Sequence, residues 1–284
     1  MKRVKGMISA AVVLFNTPLD LINRVINCYA PSKERHLYLI DNSQERLAEY
    51  QQTSWPDGVE YLFVGENQGY GKAHNIGIQK AISEKSRYHL VLNPDVHFLP
   101  DVPDQLADYA DQHPDVVCMM PKVTYPNGEI QFLCKLLPTP LDLFCRRFLG
   151  GIPLLKAVGD RYTLKSFGYD KIINPPCLSG CFMFLRTDTL RQNDLAFDER
   201  FFLYCEDFDL VRRLHRYGKT LFYPEVTIAH DHARASYKDS KMLRMHMRSA
   251  FQYFNKYGWF FDAERVRMNQ QILKEIRESE KKSQ

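Results

Sequence analysis

Asn93-Pro94-Asp95 closes an apolar run, Leu90-Val91-Leu92, with an amide, a proline and a carboxylate. Packing gives a buried strand no reason to end that way. A site for a divalent cation and a diphosphate does, because hard cations take oxygen ligands and phosphates can fill much of the shell. Three earlier apolar segments end in the same manner. Residues 8–15 stop at Asn16, 36–40 at Asp41 and Asn42, and 58–64 at Glu66 and Asn67. In open α/β sheets ligands bind outside the carboxyl ends of the strands.

Two further clusters carry chemistry. Glu206-Asp207-Phe208-Asp209 opens a helix-prone segment. Acids in a first helical turn suit the macrodipole, and Asp209 can pair with Arg213 at i,i+4. Asp207 precedes Leu210, Val211 and Leu214 by three, four and seven residues, so it projects from the core-facing stripe, with Glu206 on its flank. A carboxylate there is paired, protonated or at the mouth of a cleft. In a cleft, partial desolvation raises its pKa towards working pH and suits it to be a general base. His230-Asp231-His232 follows a strand-like run over 220–228 and reads as a polar loop or a metal site. Asp95 alone cannot fix a divalent cation. One of these imidazoles, diphosphate oxygens and water would complete an octahedral shell for Mg²⁺ or Mn²⁺.

These side chains need a scaffold that gathers strand ends. Residues 7–100 alternate between strand-like and helix-like patterns, with Pro18 opening a helix over 18–29. The loop Gly65 to Gly71 precedes a helix over 72–85, another helix covers 101–112, and a strand near 115–120 leads to the Pro126-Asn127-Gly128 turn. Such alternation predicts an α/β fold with a mostly parallel, doubly wound sheet. From 132 to 175, Pro138, Pro140, Pro153 and Gly150-Gly151 interrupt the pattern, as in a lid or binding loop. A strand over 177–185, a helix from about 206 capped by Gly218, and the strand over 220–228 follow. The tail beyond 263 is charged and helix-prone, with little to bury. The organisation expected is one domain over 1–262, nucleotide-binding over about 7–120 and acceptor-binding and catalytic over about 121–262, with a helical extension over 263–284.

Composition narrows the function classes. The 284 residues are 45% hydrophobic and 13% aromatic, which suits a packed globular chain. A net charge of +4 gives no argument for nucleic acid. Seven cysteines without zinc-type spacing read as reduced, mostly buried thiols of a cytosolic protein. The basic and apolar start, 1–15, is too short for a signal peptide and runs directly into Asn16-Thr17-Pro18. No apolar run is long enough to cross a bilayer. The first strand is not followed by Gly-x-Gly-x-x-Gly, which counts against a nicotinamide or flavin oxidoreductase, and no Walker-type lysine loop suggests a phosphoryl transferase. A non-catalytic nucleotide-binding protein remains as an alternative, against which stand Asp95, Asp207 and His230 together.

The ordered series resembles a family-2 glycosyltransferase of the inverting, nucleotide-sugar-dependent kind with a GT-A fold. It comprises Asn16, Asp41-Asn42-Ser43, Asn67-x-Gly69-x-Gly71-x-x-x-Asn75-x-Gly77, Asn93-Pro94-Asp95, Ser179-Gly180-Cys181, Phe197-Asp198-Glu199-Arg200-Phe201-Phe202 and Glu206-Asp207-x-Asp209. Within the family, Asn93-Pro94-Asp95, the segment 230–236 and Phe251 to Gly258 resemble the bacterial rhamnosyltransferase-like branch that builds O-antigen and related polysaccharides.

The resemblance implies that Asn16, Asp41, Asn67, Gly71 and Asn75 hold the nucleotide base and ribose, with Asn93 and Asp95 at the diphosphate. Asp95 with His230 or His232 would bind the metal. Asn93 replaces the family's first acid and removes one negative charge. Asp207 matches the catalytic base, with Glu206 the alternative base or, beside Gly180 and Cys181, an acceptor ligand. The implied reaction moves L-rhamnose from dTDP-rhamnose to a glycan or polyprenyl-diphosphate-linked acceptor; a UDP-hexose donor is the alternative. A cytoplasmic enzyme is expected, touching the inner membrane through the cationic and apolar segments 144–149 and 244–261.

Overall fold

The computed structural model describes residues 6–143, 153–231 and 240–282. Its centre is an eight-stranded sheet in the order β3-β2-β1-β4-β7-β6-β8-β5. The strands are β1 (Ile8–Leu14), β2 (Arg35–Asp41), β3 (Val59–Phe63), β4 (Tyr88–Leu92), β5 (Val96–His97), β6 (Val116–Thr124), β7 (Phe182–Arg186) and β8 (Lys219–His230). The helices are α1 (Leu19–Tyr29), α2 (Ala48–Gln51), α3 (Tyr70–Ser83), α4 (Val102–Gln112), α5 (Pro153–Tyr162), α6 (Thr187–Gln192), α7 (Glu206–Leu214), α8 (Ser240–Tyr257) and α9 (Ala263–Lys282).

β3, β2, β1 and β4 pair in parallel, as βα alternation requires. β4 is buried at all five positions, which is what a central strand covered on both faces demands. The second half of the sheet is mixed. β7 runs antiparallel to both β4 and β6, while β6 and β8 are parallel. A buried strand reads the same in either direction, so this reversal carries no mark in the sequence.

The reversal gathers the site. Leu92, the last residue of β4, pairs with Phe182, the first of β7, so the loop before β7 meets the loop after β4. Asn93 N–H donates to the Cys181 carbonyl at 3.0 Å, closing that corner. β8 runs in the direction of β4 and ends at His230, which pairs with Val96 of β5. Two remote strand ends are thereby brought against Asp95.

The helical expectations differ in two places. α7 ends at Leu214 with His215 as its cap, not at Gly218. Gly218 is needed for close approach instead, since a Cβ there would lie 2.5 Å from the Asp115 carbonyl oxygen. The tail beyond 263 also has something to bury. Met268, Ile272 and Ile276, spaced by four along α9, are buried, and the two isoleucines join the main core. Buried Arg212 of α7 forms a fork with Asp262 at 2.6 and 2.7 Å and reaches Glu264 at 2.8 Å. Its guanidinium lies 3.9 Å from the Tyr257 ring centroid. Asp209, fully buried, accepts from Arg213 and Tyr257 at 2.7 Å each and also contacts Lys256. The Asp209–Arg213 pair is as expected, but it belongs to a network that fastens α7 to α8 and α9.

Candidate active site

The site follows the carboxyl ends of β1, β2, β3 and β4. Beyond β1, Asn16 is exposed, in the left-handed region at φ 49°, and its N–H donates to Ser43 Oγ at 2.9 Å. Beyond β2, buried Asp41 accepts from Ser43 N–H at 3.1 Å and from the Tyr61 hydroxyl at 2.5 Å. Asn42 is a strap that the expected site did not include. Its amide donates to Asn67 Oδ1 and the Gly69 carbonyl at 3.0 and 3.2 Å, and its Oδ1 accepts from Gln68 N–H at 3.0 Å. The loop 67–69 is thus shaped from below.

Two glycines and Asn75 serve packing. Gly69 caps α3 at φ 88°, and a Cβ there would meet the Phe202 carbonyl oxygen at 2.3 Å. A Cβ on Gly71 would lie 2.8 Å from Phe197 Cβ, so this glycine admits a neighbouring segment. Asn75 has both ends of its amide committed to Phe197, accepting from its N–H at 2.8 Å and donating to its carbonyl at 2.9 Å. Gly71 and Asn75 therefore act on the segment before α7.

Where a metal is expected, Asp95 Oδ1 lies 3.2 Å from His230 Nε2, with the two side chains 26% and 6% exposed. Gln131 fixes the imidazole. Its amide nitrogen donates to the Thr124 and His230 carbonyls at 3.2 and 2.7 Å, which leaves Oε1 facing His230 Nδ1 at 3.0 Å. Nδ1 is thereby held by Gln131 and Nε2 is turned towards Asp95, the orientation needed of a metal ligand. Asn93 Nδ2 lies 3.3 Å from the same Nε2. A carboxylate and an oriented imidazole fit Mg²⁺ or Mn²⁺ as a partial shell. Among the described residues no group of three or more His, Cys, Asp or Glu side chains converges as a full cage. His232 lies outside the described residues.

At the other end, Tyr204 and Cys205 both take left-handed backbone conformations, φ 70° and 66°, directly before α7. Non-glycine residues held there cost of order 1–3 kcal/mol each and cluster at functional sites. The turn delivers two carboxylates to the cleft. Glu206, not Asp207, is the more buried, the reverse of the expected stripe. Asp207 is partly exposed, accepting from Phe208 N–H at 2.9 Å and Gly180 N–H at 3.3 Å. Burial pushes both carboxyls up, Glu206 strongly and further through the Asp207 charge. Lys135 and the backbone donors oppose the rise at Asp207. Glu206 Oε2 has no hydrogen-bond partner among the described residues. A proton held by the pair therefore favours Glu206, while Asp207 stays partly exposed.

Gly180 takes part through its backbone. The Cys181 thiol is buried and pushed up to about 12 by desolvation, so only its carbonyl serves the site. Tyr70, at the start of α3, went unnoticed in the sequence. Its hydroxyl lies 2.7 Å from the Gly180 carbonyl and 3.0 Å from Asn93 Oδ1. A tyrosine one residue after Gly69 had no distinguishing signal beyond its position in the glycine motif.

Comparison with known proteins decides the family. The model for "Glycosyl transferase family 2" matches residues 19–188, more than half of the chain. The chain belongs to glycosyl transferase family 2. This family-2 enzyme is 27% identical to rhamnosyltransferase WbbL of Escherichia coli K12 over 252 residues, 82% of this chain and 88% of the relative. It is 26% identical to the N-acetylglucosaminyl-diphospho-decaprenol L-rhamnosyltransferase of Mycobacterium tuberculosis over 221 residues, 71% of this chain and 69% of the relative. Among solved structures, GalNAc-T7 with UDP, GalNAc and Mn²⁺ superposes with a TM-score of 0.60 at 14% identity, covering 91% of this chain and 50% of that one. Staphylococcus aureus TarS 1-349 with UDP-GlcNAc gives 0.55 at 14% identity, covering 94% and 71%. The family-2 transferase thus has the GT-A fold, and at such identity these two structures speak for the fold alone.

Proposed function

We propose that this glycosyltransferase moves L-rhamnose, with inversion, from dTDP-rhamnose to a polyprenyl-diphosphate-linked or glycan acceptor in surface polysaccharide synthesis. The observation that carries the chemistry is the division of the cleft. Asp95 with the oriented His230 stands at one end, and Asp207, held by Gly180 N–H, stands at the other. The donor sugar and lipid-linked acceptor rest on the two rhamnosyltransferase relatives, one of whose names includes a diphospho-decaprenol. UDP is bound to structural neighbours at 14% identity, too distant to argue for a UDP donor.

Inverting transfer asks two things of the chain. Charge must be managed where the nucleoside diphosphate departs, and a proton must be taken from the acceptor hydroxyl on the opposite side of the sugar. A Mg²⁺ or Mn²⁺ ion held by Asp95 and His230 would neutralise the leaving diphosphate. Asp207 accepts the acceptor proton. Glu206, kept protonated by burial, can donate a hydrogen bond to an acceptor oxygen or stay as a neutral floor beneath Asp207. Asn16 and Asn67 form the rim assigned to the nucleoside, with buried Asp41 beneath it holding Ser43 and Tyr61.

We also assign a membrane contact, for an acceptor tethered to lipid, to the turn between α8 and α9. Phe260 and Phe261 are 80% and 96% exposed there. Exposed Arg267 and Lys274 line the same surface, Lys274 lying 3.8 Å from Glu278, and Asp262 is bound to Arg212. Aromatics beside cations suit an anionic lipid surface. The segment 144–149 lies outside the described residues.

The test is a panel of dTDP- and UDP-sugars with a polyprenyl-diphosphate glycan, with and without Mn²⁺, scored for product and for nucleoside diphosphate. Transfer confined to dTDP-rhamnose is expected, and transfer from a UDP-hexose alone overturns the donor assignment. Asp207→Asn should abolish transfer while donor binding, measured by titration calorimetry, stays near wild type. Retention of most turnover would rule out Asp207 as the base.

A further inference from the structure

We propose that Tyr70 is a positioning residue whose hydroxyl holds the base-bearing end of the cleft in register with its leaving-group end. The proposal rests on Asp207 being the base. The hydroxyl is the crossing point of a continuous set of contacts. His230 Nε2 lies 3.3 Å from Asn93 Nδ2, and Asn93 Oδ1 lies 3.0 Å from the Tyr70 hydroxyl. That hydroxyl donates to the Gly180 carbonyl at 2.7 Å, and Gly180 N–H donates to Asp207 Oδ2 at 3.3 Å. Gly180 is thus gripped on both backbone groups, by the phenol on one side and the carboxylate on the other.

The phenol itself is held rigidly. Tyr70 N–H donates to the Phe202 carbonyl at 2.8 Å. Its ring packs edge-on against His74 and Phe197, with centroids 4.5 and 6.3 Å away. The His74 imidazole below it is fully buried, without a partner at either nitrogen among the described residues, and burial keeps it neutral. An uncharged ring there offers Tyr70 packing and no competing hydrogen bond. Burial and the nearby carboxylates keep the phenol protonated, so it remains a donor at any working pH. Preorganised groups of this kind matter because a base must sit within hydrogen-bond reach of the proton it removes.

Tyr70→Phe deletes only the hydroxyl and keeps the ring contacts, so folding should be retained and is verified by melting. Kinetics are measured with dTDP-rhamnose and the lipid-linked acceptor across pH, beside wild type and Asp207→Asn. The expected result for Tyr70→Phe is a kcat lower by roughly 10- to 100-fold, with donor KM and dTDP affinity within about two-fold of wild type. The acid limb of the kcat profile should also move to higher pH. A loosened Gly180 N–H stabilises the Asp207 anion less, while Glu206, Lys135 and Phe208 N–H still face it. A kcat within about two-fold of wild type with an unmoved acid limb overturns the proposal, as does a raised donor KM at unchanged kcat. If Asp207→Asn keeps its turnover, the base assignment fails whatever Tyr70→Phe does. If Asp207→Asn is inactive and Tyr70→Phe behaves as wild type, only the role of Tyr70 is lost.

Discussion

Glu206 is an acid that the fold carries at a cost to stability. Its carboxyl is buried and one oxygen has no partner among the described residues, so the native state holds the proton more tightly than the unfolded chain does. Between the unfolded and folded pKa values the native state binds more protons, and stability falls as pH rises through that window. Glu206→Gln should therefore melt higher than wild type on the alkaline side of the window and gain nothing on the acid side. Thermal melts between about pH 5 and 8 decide it; a variant that melts below wild type throughout would mean that ionised Glu206 is stabilising. At this scale the sequence was informative where a residue type was out of place. Asn93, Asp95, Asp207 and His230 are polar residues at the ends of apolar runs, and that alone marks them. Tyr70 and Gln131 are ordinary in their settings, and their roles depend on Gly180 and His230, about 100 residues away in sequence.

The elements matter through what fastens them. α7 presents Glu206 and Asp207 at its first turn, and Arg212 near its far end is locked to Asp262 and Glu264. Removing one partner of a buried ion pair costs roughly 3–5 kcal/mol, because the other charge stays buried. Asp262→Ala should lose stability on that scale, read from guanidinium unfolding, and lose activity in proportion as α7 shifts. A loss under about 0.5 kcal/mol would show that Glu264 alone satisfies Arg212. The parallel half of the sheet was legible from its alternating periods, since β1 to β4 each end in polar residues. The direction of β7 was not, because Phe182–Arg186 is buried at four positions and looks alike either way. α9 misled for a different reason. Ten charged residues between Ala263 and Lys282 obscured the apolar stripe of Met268, Ile272 and Ile276.

At the scale of the whole molecule, no described helix is long and apolar enough to cross a membrane. The exposed Phe260–Phe261 turn is the surface to which the membrane contact was assigned. Replacing both phenylalanines by serine should reduce flotation with vesicles containing anionic lipid about ten-fold or more, while turnover of a short water-soluble acceptor is kept. Equal flotation of the variant, or loss of self-association in place of lipid binding, would assign that surface elsewhere. One other feature governs how such enzymes can be recombined. The glycine-rich segment 67–77 and the stretch 196–207 interlock through the Asn75 amide on Phe197, the missing side chain of Gly71 and the bond from Tyr70 N–H to Phe202. The two segments are therefore one packed unit, although more than a hundred residues of sequence separate them. A hybrid of two relatives that exchanges one segment alone would place a side chain where the other needs a void, so a folded hybrid requires that both pieces move together.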